Sequence, residues 1–206
     1  REVVAPWIVC QREHCGSKET ATGSDALASP PIASIEMIRE FSVKYIQDLD
    51  RLVGGIRVAG LWGESVLANP RELLDLKKAG SQNTIQVLDP DVTALGPSFF
   101  KKYADQANIG LVMGLDANLI GSGSVAGIAS RARTFVEEAG RDGRFVLFIN
   151  DIPYDTPPEN VHAVISVAHE YQADDKTARY VRKGSTALRH PTIQESIRDV
   201  SKMMRA

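Results

Sequence analysis

The feature that most constrains the fold of this chain is an alternation of short apolar runs with longer amphipathic stretches. Five short strand candidates cover residues 18–24, 56–62, 84–89, 110–116 and 145–150, and all but the first are rich in apolar residues. Strands that are covered on both faces of a parallel sheet have this near-continuous apolar character. Strand candidates that alternate with helix candidates are typical of βα units. The pattern therefore predicts an α/β fold with five parallel strands.

Amphipathic helices are predicted around these strands, over residues 2–15, 34–53, 70–79, 97–107, 124–139 and 158–171. In the second helix, spacings of three and four predict one apolar stripe that covers the sheet, made of Ile35, Ile38, Phe41, Tyr45, Ile46 and Leu49. Pro70 and Pro158 suit the first turn of a helix, where no amide N–H is required. The helical pattern thus agrees with the βα alternation.

Five βα units are fewer than the eight of a closed (β/α)₈ barrel, which typically takes about 250 residues. The residues alone leave two architectures open: an open five-stranded sheet, or the C-terminal five units of a TIM barrel. From residue 174 the chain becomes rich in Lys and Arg and contains no further strand candidate. We therefore predict one domain over residues 1–173 and a basic C-terminal tail with a helix over residues 174–206.

Charge and hydropathy exclude several classes of protein. The 24 basic and 26 acidic residues give a formal net charge of -2, which provides no general attraction to nucleic acid or to anionic membranes. Charged residues interrupt every apolar run before it could span a bilayer, and the N-terminus does not have the pattern of a signal peptide. Cys10 and Cys15 are too few for a disulfide framework. We expect a cytoplasmic protein with free thiols.

An acidic residue follows each predicted strand, at the edge where parallel α/β folds bind their ligands. These residues are Asp25, Glu64, Asp89, Asp116 and Asp151. A single such residue is often only a helix cap. Because five of them should converge at one edge, the sequence predicts a polar pocket there.

Within this pocket we predict that Asp25, Glu64 and Asp116 are catalytic, as proton donors or acceptors whose pKa values burial would raise. The candidates for substrate binding are Trp62, Asn118, Asn150, Asp151 and Tyr154.

Two other sequence signals, for phosphate binding and for metal binding, are weaker. Residues 121–124 (Gly-Ser-Gly-Ser) lack the Lys-Ser/Thr end of a phosphate-binding loop. Cys10 and His14 have no second ligand pair, so no metal site is predicted.

Several strings resemble the uroporphyrinogen decarboxylase superfamily, which includes the cobalamin-dependent methyltransferases. They are GLDANLI at 114–120, FVLF at 145–148, DIPYDTPPENV at 151–161, DALASP at 25–30 and IEMIREF at 35–41. The resemblance covers residues 3–173. It implies a (β/α)₈ barrel, of which the five units here are the C-terminal part.

The sequence departs from the zinc-dependent branch of that family at its metal ligands. Gly60, Trp62 and Gly63 stand where that branch has His-x-Cys-Gly, and Ile149 and Asn150 stand where its last ligand is expected. Because no thiolate or imidazole is present at these positions, we expect no bound zinc. Trp62 instead offers an apolar wall for an aromatic or tetrapyrrole face.

The resemblance implies an enzyme that acts beside a tetrapyrrole, and corrinoid-linked methyl transfer is the first hypothesis. The corrinoid (cobalamin) would be carried by a partner protein. The runner-up is porphyrinogen decarboxylation, although a substrate with many carboxylates should meet Arg side chains rather than acidic strand ends. A non-catalytic binding relative that has lost the zinc ligands is the third. A small-molecule or tetrapyrrole substrate and a homo-oligomeric state are compatible with the resemblance.

Overall fold

A computed structural model describes residues 3–15, 21–24, 26–81, 83–141 and 143–171. The chain divides into two units, Arg1–Glu170 and Tyr171–Ala206, and the fold below concerns the first. The predicted tail over 174–206 and the candidate catalytic residue Asp25 lie outside the described residues.

Helices and strands alternate along the described residues, as the sequence pattern predicts. In chain order they are α1 Val4–Cys15, β1 Ala21–Ser24, α2 Ile35–Met37, α3 Lys44–Val53, β2 Ile56–Ala59, α4 Pro70–Ala79, β3 Thr84–Leu88, α5 Asp89–Leu95, α6 Pro97–Ala107, β4 Gly110–Leu115, α7 Ala117–Ser122, α8 Val125–Phe135, β5 Phe145–Ile149 and α9 Pro158–Tyr171. Short 3₁₀ turns occupy Ala26–Ala28 and Glu64–Val66, and π-helical segments occupy Ile38–Val43 and Val136–Gly140. None of the described helices is long and apolar enough to cross a membrane.

The strands form two parallel ladders. β1 pairs with β2, and β4 lies between β3 and β5. The predicted parallel arrangement in sequential order is therefore confirmed, but one continuous five-stranded sheet is not formed by these strands. β2 ends at Ala59, before the predicted end at residue 62, and the chain turns at Gly60 with φ 88°. In β3 the Gln86 carbonyl accepts a hydrogen bond from the side chain of Lys77, at 2.9 Å.

The larger hydrophobic core covers one face of β3–β5. Ile85 and Val87 of β3 are buried in it with Leu111, Met113 and Leu115 of β4. The opposite face is less covered, because Val146 of β5 remains 54% exposed. Strands of purely parallel sheets are normally buried on both faces. The three-stranded sheet thus presents one covered face and one that is partly open.

The long second helical stretch differs from its predicted stripe. Ile35, Ile38 and Val43 are buried, whereas Phe41 and Tyr45 are 62% and 57% exposed. The cause is the π-helical segment Ile38–Val43, because its wider turn rotates the following side chains away from the positions that a regular α-helix would give them. The prediction that Phe41 and Tyr45 cover the sheet is therefore wrong.

Candidate functional site

The loop that follows β2 is held by a serine on one side. The Ser29 hydroxyl accepts a hydrogen bond from the Trp62 backbone N–H at 2.9 Å and donates to the Gly60 carbonyl at 3.4 Å. Gly63 lies so close to Pro30 that an added Cβ would stand 2.6 Å from the Pro30 carbonyl oxygen. Its φ of 95° also suits glycine rather than a residue with a side chain.

An aspartate holds the same loop on the other side. Asp91, in the first turn of α5, accepts from the backbone N–H groups of Gly63 and Ser65, each at 2.9 Å. It also accepts from the Ser65 hydroxyl at 2.6 Å. Three donors on one carboxylate satisfy the polar groups of a tight turn and favour the ionised form of Asp91.

Glu64 lies between these anchors and forms an ion pair with Lys77 of α4. Neither side chain reaches solvent, since the residues are 0% and 3% exposed. Lys77 also donates to the Gln86 carbonyl at 2.9 Å, and its Nζ lies 5.0 Å from the centroid of the Trp62 ring. The ammonium group is thus surrounded by a carboxyl group, a backbone carbonyl and an aromatic face, which together replace its hydration.

The pKa values of Glu64 and Asp91 are shifted in opposite directions. Burial raises the pKa of Glu64, and the neighbouring Asp91 raises it further against the opposing effect of Lys77. Burial would also raise the pKa of Asp91, but hydrogen bonds from Ser65 and Gly63 outweigh it and hold this pKa below its usual value. As a carboxylate, Glu64 would leave its buried Oε2 without a hydrogen-bond partner among the described groups. A proton on Glu64 allows this carboxyl to donate to Asp91.

The cluster of Trp62, Glu64, Ser65, Lys77 and Asp91 can therefore hold one acidic proton in a site screened from water. A carboxyl group whose pKa is raised by burial, beside a carboxylate whose pKa is lowered, is an arrangement that enzymes use to pair a general acid with a base. With a proton on Glu64, the Asp91 carboxylate and the Lys77 ammonium would sum to zero charge, which would lower the cost of burying the three groups together.

A second polar cluster ties the ends of β3 and β4 together. Asp89 accepts from Arg131 Nε at 2.9 Å and from Arg131 Nη2 at 2.5 Å, and from the Thr93 hydroxyl at 2.9 Å. The backbone N–H of Asp116 donates to the same carboxylate at 3.3 Å. The Arg131 guanidinium also packs 4.7 Å from the centroid of the Phe135 ring. Arg131 is thus engaged by a buried aspartate.

Five other predicted site residues, Asp116, Asn118, Asn150, Asp151 and Tyr154, have different surroundings from Glu64. Asp116 caps α7, since its Oδ1 accepts the Asn118 N–H at 2.6 Å. Asp151 accepts from the N–H of Ile152, the residue that follows it, at 2.9 Å. Four of these residues are exposed: Asn118, Asn150, Asp151 and Tyr154. Over the described ranges, no hydrogen bond or ion pair joins any of the five to the Glu64 cluster.

Lys77, Ser65 and Asp91 were not among the predicted site residues. A signal for Lys77 exists in the sequence, because it lies four residues after Leu73 and three after Leu74, on the buried face of α4. Asp91 follows Asp89 at the end of a predicted strand, but nothing in its spacing indicates that it would hold a loop from another βα unit.

The residues at this site do not suit a zinc ion. The ligating groups here are carboxylates, and the adjacent cation is the Lys77 ammonium, already paired with Glu64. In the part of the chain that the structure describes, no three His, Cys, Asp or Glu side chains are grouped to hold a metal.

A surface groove of about 590 Å³ lies elsewhere and is lined by Glu36, Arg39, Glu40, Val43, Lys44, Gln47, Leu76 and Ala79.

Similarity to known proteins is found in the fold and not in the sequence. No protein-family model and no curated protein matches the sequence. Among solved structures, a methyltransferase from Methanosarcina mazei is similar over 81% of this chain and 46% of its own, with a TM-score of 0.59 and 19% sequence identity. The chain thus spans less than half the length of that protein. At this identity the likeness shows the fold alone. The described α/β units share the fold of part of a methyltransferase.

Proposed function

We propose that this chain belongs to a methyltransferase in which Glu64 supplies the proton that the leaving group of the methyl donor requires. The observation that carries the proposal is the buried Glu64 carboxyl, which lies beside Lys77 after a parallel strand and whose pKa is raised by burial. The fold around Glu64 is similar to that of a methyltransferase, which supports methyl transfer as the reaction that uses this acid.

The chemistry explains why an acid is needed. Transfer of a methyl group from an alcohol, an ether or a neutral amine breaks a carbon–oxygen or carbon–nitrogen bond and forms a bond from that carbon to the acceptor. The electron pair of the broken bond stays on oxygen or nitrogen, which is a poor leaving group unless it receives a proton. A positioned acid typically contributes about 10²- to 10⁴-fold to such a step. Lys77 then stabilises the Glu64 carboxylate that remains.

A corrinoid on a partner protein is the acceptor that the family resemblance implies, and when bound it would supply the metal centre that takes the methyl group. On this chain the partly buried Trp62 side chain is the aromatic surface that would contact a tetrapyrrole. Lys77 occupies a position 5.0 Å from the centroid of this ring and fixes its place beside Glu64. The cluster has no thiolate or imidazole, so its own contribution is contact, orientation and the proton.

We also propose that the described units are the C-terminal part of a (β/α)₈ barrel. Support comes from the parallel, sequential ladders and from the partly open face of β3–β5. Further support comes from the similarity to 46% of a longer methyltransferase chain. Additional βα units would cover that face, as parallel sheets require.

Porphyrinogen decarboxylation fits the site less well. The substrate would present several carboxylates and would need unoccupied cations. Within the described residues, Lys77 is already paired with Glu64, and Arg131 is paired with Asp89 at the end of β3. A non-catalytic scaffold is the competing proposal, since complete burial of Glu64 also suits a purely structural role.

The test is a methyl-transfer assay of the purified chain, with reduced free cobalamin as acceptor and a panel of methylated alcohols, aryl ethers and amines as donors. We expect transfer from at least one donor and a rate lower by about 10²- to 10⁴-fold in Glu64→Gln. Glu72→Gln is the matched control, because Glu72 is exposed on α4 and accepts a hydrogen bond from the Asn69 side chain at 3.1 Å. Absence of transfer in the wild type, or equal rates in both variants, would contradict the proposal.

A further inference from the structure

Glu64 cannot itself reach a substrate, because it is 0% exposed. We propose that the Ser65 hydroxyl is the last member of a proton relay that runs from Glu64 through Asp91 to an acceptor at the surface of the site. The identification of this acceptor as the leaving group of a methyl donor rests on the proposed function. The path through Ser65 rests on the geometry of the loop alone.

The hydrogen bonds of the cluster point to this route. The Ser65 hydroxyl is 2.6 Å from Asp91 Oδ1, and Ser65 is partly exposed, whereas Asp91 is only 4% exposed. Asp91 is among the groups that shift the pKa of Glu64, and the buried Glu64 Oε2 has no other hydrogen-bond partner among the described groups. Lys77 is the other acidic group that touches Glu64, but it is 3% exposed and is held by the Gln86 carbonyl. Of the described groups in contact with the carboxyl pair, Ser65 therefore combines a transferable proton with access to solvent.

The proton balance closes without any other reactant. Glu64 gives its proton to Asp91, and Asp91 gives a proton to the Ser65 oxygen as the original hydroxyl proton leaves for the acceptor outside. Each oxygen–hydrogen bond that breaks is replaced by one that forms. Ser65 and Asp91 return to their starting states, while Glu64 becomes a carboxylate beside the Lys77 ammonium. The same steps in reverse reload the acid from water.

A purely structural role for the hydroxyl makes a different prediction. Asp91 also accepts from the backbone N–H groups of Gly63 and Ser65, so the loop keeps two of its three bonds to Asp91 when the hydroxyl is removed. If the hydroxyl only pins the loop, its loss should loosen the loop and admit water faster. If it carries the proton, its loss should isolate the carboxyl pair.

The deciding experiment follows the infrared carbonyl band of the protonated carboxyl after transfer of the chain into D₂O, with Glu64→Gln used to assign the band. We expect Ser65→Ala and Ser65→Val to slow hydrogen–deuterium exchange of this band by about 10²-fold, the low end of what a positioned proton-transfer group supplies. Ser65→Thr, which keeps a hydroxyl and matches Val in shape, should exchange within a few-fold of the wild type. Backbone amide exchange of residues 60–66, measured in parallel, reports any loosening of the loop.

Unchanged or faster exchange in both Ala and Val variants would overturn the proposal, and so would the absence of the assigned band in the wild type at neutral pH. Because this measurement uses no methyl donor, its outcome is separable from that of the methyl-transfer assay. Slow exchange in Ser65→Val combined with no methyl transfer would refute the proposed function and support the relay.

Discussion

Glu64 and Lys77 form an ion pair that solvent does not reach. Burial of two charges in this way is costly, and a buried pair often adds little net stability over an apolar replacement. Breaking such a pair from one side is different, because it leaves the other partner buried without compensation. A single substitution in this pair should therefore lower the stability of the fold more than replacement of both residues by apolar ones.

Lys77→Met should destabilise the fold by about 1 to 3 kcal/mol, because the Glu64 carboxyl and the Gln86 carbonyl both lose their buried hydrogen-bond donor. The double variant Lys77→Met with Glu64→Leu should recover a large part of this loss. Chemical denaturation measures both. Lys78→Met, on the exposed side of α4, is the control and should stay close to the wild type. A double variant no more stable than Lys77→Met alone would contradict this account of the pair.

The stability contributed by Glu64 should fall as pH rises. Burial raises the pKa of Glu64 above its usual value of 4.5, so the folded state binds this proton more tightly than the unfolded state does. The resulting stabilisation is complete below pH 4.5 and is lost as pH rises through the folded-state pKa. We therefore expect the wild type to lose stability relative to Glu64→Gln as pH rises from 4.5. Denaturation midpoints of both proteins, measured at increasing pH from 4.5, test this expectation. A wild type that gains stability relative to Glu64→Gln as pH rises would contradict it.

Gly63→Ala should destabilise the loop more than Gly143→Ala destabilises its own turn. Both glycines have positive φ, 95° and 78°, but only at Gly63 would the new Cβ meet a backbone atom, the Pro30 carbonyl oxygen at 2.6 Å. Both variants carry the cost of a side chain at positive φ, about 1 kcal/mol. The extra loss at Gly63 measures the close approach to Pro30, and equal melting temperatures for the two variants would show that the loop moves freely from it.

Substitutions at Asp116 distinguish a helix cap from a catalytic carboxylate. Because its Oδ1 accepts the Asn118 N–H at 2.6 Å, Asp116→Ala should cost about 0.5 to 2 kcal/mol of stability. Asp116→Asn should retain the cap and most of the stability. If the methyl-transfer rate also survives in Asp116→Asn, Asp116 serves as a cap, whereas a large loss of rate with normal melting would restore its predicted catalytic role.

The regular parts of the fold follow from the sequence because local pattern and packing agree there. α4, α6 and α9 begin and end where apolar periodicity and prolines place them, and β3–β5 coincide with the apolar runs to within one residue at their ends. α5 and α7 escape prediction, since helices of seven and six residues are too short to show a period. Phe41 and Tyr45 are misplaced because a π-helical turn leaves no clear signal in hydrophobic spacing.

The site is only partly predictable for a similar reason. Glu64 could be selected because strand ends bind ligands in parallel α/β folds. Its burial, however, depends on Lys77 and Asp91, which belong to other elements, and long-range contacts of this kind have no signature in local spacing. Asp116 shows the converse case, since the same strand-end rule selected a residue that caps the helix following it.

If Glu64 is the source of the proton that reaches the leaving group, its loss should affect donors that need a proton and spare donors that do not. Methyl sulfonium and quaternary ammonium donors release neutral leaving groups, whereas methyl ethers and alcohols release oxyanions. With reduced cobalamin as acceptor, we expect Glu64→Gln to lower the transfer rate from oxygen donors by about 10²-fold or more and to leave the rate from sulfonium donors nearly unchanged. An equal loss with both classes of donor would refute the role of Glu64 as proton source, because it would mean that Glu64 maintains the site without supplying the proton.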